Sequence, residues 1–197
     1  MVASRRQWLI GIGAGFGAFA RLIASDQGLP PGFVPAPGCK DGESATPTWP
    51  LDRRTFKANA PERTSLGEPG MTGTPLELTG AVSGLTCGRV KGARVDFWQA
   101  DARGVYDATG FRLRGHQLTD ANGVYRLTTI VPGAAPGRAP HVCVRVQVIG
   151  KADVFTELFF PDQPSNARDP HFKPNLVMTI TSNGRAQAAR FDIVLDI

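Results

Sequence analysis

From His141 to Val148 the chain alternates without a break. His141, Cys143, Arg145 and Gln147 interleave with Val142, Val144, Val146 and Val148. A period of two is the pattern of a β-strand with unlike faces, and the β-branched valines reinforce it. His141 and Cys143 therefore project from one side of a sheet. Both are side chains that bind transition metals. An H-x-C pair by itself favours a plainer reading, a half-buried strand whose polar face meets solvent or a loop.

Short strands at regular spacing surround this run. Residues 76–82 alternate, and a glycine-containing hairpin follows at 84–91. Residues 93–98 read as a strand. Thr119-Asp120-Ala121-Asn122-Gly123 is a turn signal before a strand at 124–127. Further strands are expected at 154–160, 176–180 and 188–197, the last carried by Phe191, Ile193 and Leu195. No long helical period intervenes. The pattern predicts an all-β fold, a sandwich of two sheets.

The N-terminus has a different character. Ser4-Arg5-Arg6-Gln7-Trp8-Leu9 is a twin-arginine pattern, followed by an apolar, glycine-rich run to Ala20. That run is too short for a membrane span. Residues 1–25 read as a twin-arginine export signal to the periplasm, with Ala18-Phe19-Ala20 as a candidate cleavage site; the alternative is an anchor that stays attached. Residues 26–75 are rich in Pro and Gly and read as an extended arm. Residues 76–197 form the sandwich domain. In an oxidising compartment Cys39, in the arm, and Cys87, in the first hairpin, are expected to pair, leaving Cys143 free; the alternative is three unpaired thiols.

With 42% hydrophobic residues, the chain of 197 has enough apolar side chains for a full core. Its net charge is +5, but the cations are scattered and no aromatic platform interleaves them. Nucleic acid is not an expected partner. A mildly basic surface favours anionic small molecules such as aromatic carboxylates.

Several motifs in fixed order resemble the intradiol ring-cleavage dioxygenases. They are Asp96-Phe97-Trp98-Gln99-Ala100-Asp101, Gly104-Val105-Tyr106-Asp107, Arg114-Gly115-His116-Gln117, Asn122-Gly123-Val124-Tyr125, the stretch from Thr128 to His141, and Thr156-Glu157-Leu158-Phe159-Phe160-Pro161. The resemblance covers roughly residues 62–180 and implies an immunoglobulin-like β-sandwich with a metal site at one edge. It implies non-haem Fe(III) as cofactor, and a small aromatic diol and O2 as partners. It departs from the family in the arm. Where the family has a motif of the type T-P-x-x-T-E-G-P-F-Y, only Thr46-Pro47 survives.

In the family two tyrosinates and two histidines hold the iron. By motif, Tyr106 matches the first tyrosine and His141 the first histidine. The second tyrosine falls at Ala135, which ligates nothing. The second histidine falls at Cys143, whose thiolate is a softer donor that suits zinc, copper or ferrous iron better than ferric. The metal candidates are therefore Tyr106, His141 and Cys143. Arg138 matches an arginine that steadies negative charge on the substrate; the alternative is a loop cation held by backbone carbonyls. Glu157 replaces a glutamine, exchanging an amide donor for an acceptor. It is a candidate for proton transfer or for a substitute ligand. Tyr125 reads as structural, His116 as part of a loop bordering the pocket, and His171, in Asp169-Pro170-His171, as a surface turn.

Two functions from different classes follow. One is an exported ring-cleaving dioxygenase. The other is a non-catalytic periplasmic β-sandwich, a binding or structural module with an altered or absent metal site.

Overall fold

The computed structural model describes residues 43–50, 52, 55–182 and 186–197. The expected signal segment and Cys39 lie outside the described residues. Two sheets face each other, and among the described residues there is no α-helix. One sheet has β3 (Arg114–Leu118), β2 (Arg94–Gln99), β5 (His141–Gln147) and β6 (Val154–Phe159) in that order. The other has β4 (Val124–Ile130), β1 (Pro75–Gly84), β8 (Gln187–Arg190) and β7 (Thr179–Ser182), with β9 (Ile193–Leu195) also on β1. The all-β sandwich expected from the strand pattern is what forms.

The core lies between the sheets. Leu76, Leu78 and Val82 of β1 meet Val95 and Phe97 of β2, Tyr125 and Leu127 of β4, and the alternating Val142, Val144 and Val146 of β5. Each such side chain stabilises the fold by roughly 1.5–3 kcal/mol through burial. The Tyr125 hydroxyl donates to the Phe191 carbonyl at 2.6 Å, which satisfies its polar end inside the core, the structural role expected of it.

β5 sits between β2 and β6, so its second face matters as much as its first. That face is not open to solvent: His141, Cys143 and Arg145 are buried. The arm covers it. Phe56 packs edge-on against Trp98 and Phe155, and the Arg145 guanidinium lies 5.3 Å from the Phe56 ring centre. Short backbone pairings hold the arm down, Arg63 N–H to the His116 carbonyl at 2.9 Å and Thr128 N–H to the Thr64 carbonyl at 2.8 Å. The arm thereby ties β3 to β4 across the edge of the sandwich.

Three local expectations are corrected. Arg114-Gly115-His116-Gln117 is not a loop but most of β3, whose Arg114 and His116 side chains reach carbonyls of the arm while Gln117 bonds the Arg126 backbone of β4. Residues 188–197 are not one strand, because the chain breaks at Phe191 and Asp192. There the Asp192 carboxylate takes the Ala81 N–H at 2.8 Å in place of a ladder carbonyl. The expected strand at 176–180 is a 3-10 turn at Pro174–Leu176 followed by β7.

Candidate metal centre

The site is built on the covered face of β5. Cys143 stands opposite Glu157 of β6 and opposite Trp98 of β2 in the ladder. Opposite residues in antiparallel strands point to the same face, so Glu157 and Trp98 flank the thiol. His141 is two residues before Cys143, at the start of the strand.

Tyr106 comes from the loop between β2 and β3, and the sequence of that loop aims it. The buried Asp101 carboxylate accepts the N–H groups of Arg103 at 2.9 Å and Val105 at 3.0 Å. Asp107, on the other side of Tyr106, accepts N–H groups from Thr109, Gly110 and Arg112. Gly104 has φ +84°, and a Cβ there would come within 2.0 Å of the Ala134 carbonyl oxygen. Only glycine lets this loop lie against the 133–137 loop.

Three donors converge as a result. The Tyr106 hydroxyl lies 3.0 Å from His141 Nε2 and 3.5 Å from Cys143 Sγ. His141 Nδ1 is 2.7 Å from the Ala139 carbonyl, so Nδ1 carries the proton and Nε2 is the free lone pair. Ligand atoms of His141, Cys143 and Glu157 all fall within 4.8 Å of one another. Burial pushes the Tyr106 phenol and the Cys143 thiol well up from their ordinary values and pulls the His141 imidazole down. The metal-free cluster is thus a neutral network in which Tyr106 donates to His141. Metal binding would expel protons from it. The donor set, a phenol, a neutral imidazole with a fixed tautomer and a thiol, fits a single first-row transition ion. The phenol is the donor that favours the ferric state.

Beside the donors lies a second network. Arg138 forms ion pairs with Glu157 and, through Nε at 2.9 Å, with Asp169. Burial of Asp169 opposes ionisation, but its hydrogen bonds from Arg138, Ala139 N–H and His171 N–H outweigh that and hold its pKa low. His171 Nδ1 is 3.1 Å from Glu157 Oε1, and its ring stacks on Trp49 at 5.0 Å and 12°. A cleft of about 20 Å³ opens here, walled by Trp49, Asp52, Cys143, Glu157 and His171. That is room for one water-sized ligand and not for an aromatic ring.

The expected candidates therefore fall into two adjoining groups: Tyr106, His141 and Cys143 meet directly, and Arg138 and Glu157 meet beside them. Arg138 is a cation, as expected, but carboxylates and not backbone carbonyls hold it. His171 lies in the expected turn, closed by Phe172 N–H on the Asp169 carbonyl at 3.2 Å, but its half-buried ring faces Glu157 and Trp49 and closes the cleft. His116 points at the arm and donates through Nδ1–H to the Ala60 carbonyl, 2.8 Å away. Cys87 is disulfide-bonded and Cys143 is a free thiol. Sequence reasoning missed Trp49, Asp169 and Arg114. The fully buried Arg114 donates to the carbonyls of Thr55 and, at 2.9 Å, Asp107, and so pins the arm to the Tyr106 loop. An arginine inside a strand that packs under an arm was the available signal.

Residues 50–152 match the family model described as "Dioxygenase". The chain is 30% identical over 203 residues to the protocatechuate 3,4-dioxygenase beta chain of Burkholderia cepacia, covering 88% of this chain and 81% of that one. It is 28% identical to hydroxyquinol 1,2-dioxygenase of Rhodococcus opacus, covering 68% of this chain but only 52% of that relative's length. Among solved structures it superposes with a TM-score of 0.75 on the dioxygenase domain of a dioxygenase carbohydrate-binding protein fusion from Streptomyces sp. SirexAA-E. The identity there is 44%, over 78% of this chain and 99% of that one.

Proposed function

The chain belongs to the intradiol ring-cleavage dioxygenase family, and we propose that it opens small aromatic diols with O2, using non-haem iron, in the periplasm. The observation that carries this reading is the convergence of His141 Nε2 and Cys143 Sγ on the Tyr106 hydroxyl, each within hydrogen-bonding distance of it. A decayed site would have no reason to keep a phenol aimed by two carboxylates at a histidine of fixed tautomer. The export part rests on Ser4-Arg5-Arg6.

Tyr106, His141 and Cys143 would hold the iron, with Glu157 near enough to complete the set. Iron bound there supplies activation of the ring and its reaction with O2. The protein supplies the rest. Glu157, fixed between Arg138 and His171, is the acceptor for a diol proton, the role that a residue at Ala135 cannot fill. Arg138 offsets the negative charge that the diol then carries, while Asp169 keeps the guanidinium in place. Trp49 and Phe56 exclude bulk water from this face of β5. The cleft is smaller than the ring it receives, so a diol is admitted when the Trp49 wall moves aside.

O2 uptake with catechol or a carboxylated catechol tests the reading on iron-loaded protein. Uptake that disappears in His141→Ala supports it. No uptake by the iron-loaded parent, with the fold intact, contradicts it and favours the binding-module alternative.

A further inference from the structure

The fully buried carboxylate of Asp169 touches no proposed ligand, yet both groups of the site lead back to it. Its Oδ2 accepts Ala139 N–H at 2.7 Å and Arg138 Nε at 2.9 Å, and its Oδ1 accepts His171 N–H at 2.9 Å. Ala139 in turn offers its carbonyl to His141 Nδ1. Arg138 and His171 in turn hold Glu157 from two sides. Asp169 is itself anchored. Its N–H reaches the Asn166 carbonyl at 3.1 Å, and the Asn166 amide donates to the Phe160 carbonyl at the end of β6 at 2.9 Å.

We infer that Asp169 is the positioning residue of this centre, setting the tautomer and direction of His141 through the backbone of Ala139 and the place of Glu157 through Arg138 and His171. The inference deepens the iron-dependent reading given above. The group that accepts the second ring N–H of a histidine ligand acts on metal affinity and not only on folding; here that group is the Ala139 carbonyl, and Asp169 holds the Ala139 backbone by its N–H. All three donors that reach Asp169 aim at a full carboxylate. An amide in its place has one acceptor oxygen and turns an N–H₂ toward a donor.

The test compares Asp169→Asn with the parent and with Arg138→Met. The first readout is the His141 Nδ1 proton by NMR on metal-free protein, where the hydrogen bond to Ala139 makes it a slowly exchanging signal. Asp169→Asn is expected to shift this resonance and speed its exchange. Arg138→Met leaves the Ala139 N–H bond to Asp169 intact and is expected to leave the resonance in place. The second readout is Co2+ affinity, followed by the thiolate-to-cobalt absorption, which Asp169→Asn should weaken about 10- to 100-fold. If Asp169→Asn unfolds, Asp169→Glu, which keeps the charge and displaces the acceptors, makes the same comparison. An unchanged His141 resonance in the folded variant overturns the inference. A parent that takes up no Co2+ counts against the iron reading alone, since the His141 signal still decides the role of Asp169.

Discussion

The Asp101 carboxylate accepts the backbone N–H of Val105 at 3.0 Å, one residue before Tyr106. The direction of the phenol is thus set by a side chain that never meets it. Asp101 also accepts from Arg103 N–H and pairs with Arg112 at 3.2 Å. Burial works against its ionisation, yet these bonds and the two arginine charges hold its pKa below the ordinary carboxylate value.

The sign of the pH effect follows from that direction. A depressed folded-state pKa contributes stability above the unfolded value of about 3.9 and loses it as pH falls through the folded value. Asp101→Asn should therefore cost about 1–3 kcal/mol at pH 7, with the gap to the parent closing below pH ~4. Urea denaturation at several pH values measures this. A gap that stays constant down to pH 3 would show that the charge on Asp101 is not what holds the loop.

Cys143 distinguishes ligand from filler. Cys143→Ala removes only a small buried side chain, so its stability cost should stay near 1 kcal/mol, while metal affinity falls at least tenfold. Ala135→Tyr combined with Cys143→His installs the full family ligand set on the same loop and strand. This double variant is expected to bind Fe(III) more tightly than the parent and to cleave catechol faster. Equal iron binding in the parent, Cys143→Ala and the double variant would count against Cys143 as a ligand.

Trp49 controls space. Its ring stacks on His171 and walls a cleft too small for an aromatic ring. Trp49→Ala should enlarge that cleft and speed diol binding several-fold in stopped-flow mixing. The lost packing should cost about 1–3 kcal/mol, since Trp49 is only partly buried. Unchanged association kinetics would mean that the diol reaches Glu157 by another wall.

The cysteines report the compartment. We expect Cys39 and Cys87 to pair in exported protein, leaving one thiol, Cys143, that reacts only after denaturation. Closing a loop of about 48 residues should contribute about 4 kcal/mol in the chain-entropy model. Arg5→Lys with Arg6→Lys should leave the chain in the cytoplasm. Thiol titration of protein from the periplasm and from the double variant checks both, and three reactive thiols in the exported form would refute the pairing.

How much of this was legible in the sequence depended on whether neighbours along the chain carried the signal. The run from His141 to Val148 announced its strand because one face is all valine. Tyr106, His141 and Cys143 came together as the order of motifs implied. β3 was hidden because Arg114 and Gln117 are polar yet buried, one under the arm and the other beneath neighbouring backbone. A hydrophobic-period reading assigns such residues to a loop. Asp169 and His171 were illegible for a different reason. They follow a single 3-10 turn with no periodicity, and their partners, Arg138, Ala139 and Glu157, lie 14 or more residues away in sequence. Nothing local marks a side chain whose meaning comes from a fold-back after β6.

The central claim is that Tyr106 and His141 hold ferric iron, and visible absorption tests it most directly. Phenolate bound to Fe(III) gives a charge-transfer band in the visible. Protein loaded with one iron per chain should be coloured, Tyr106→Phe should remove the phenolate part of the band while the fold persists, Tyr106→Phe with Cys143→Ala should bleach it, and His141→Ala should lose the iron. Iron-loaded parent with no visible band, or a spectrum that Tyr106→Phe leaves unchanged, would contradict the account.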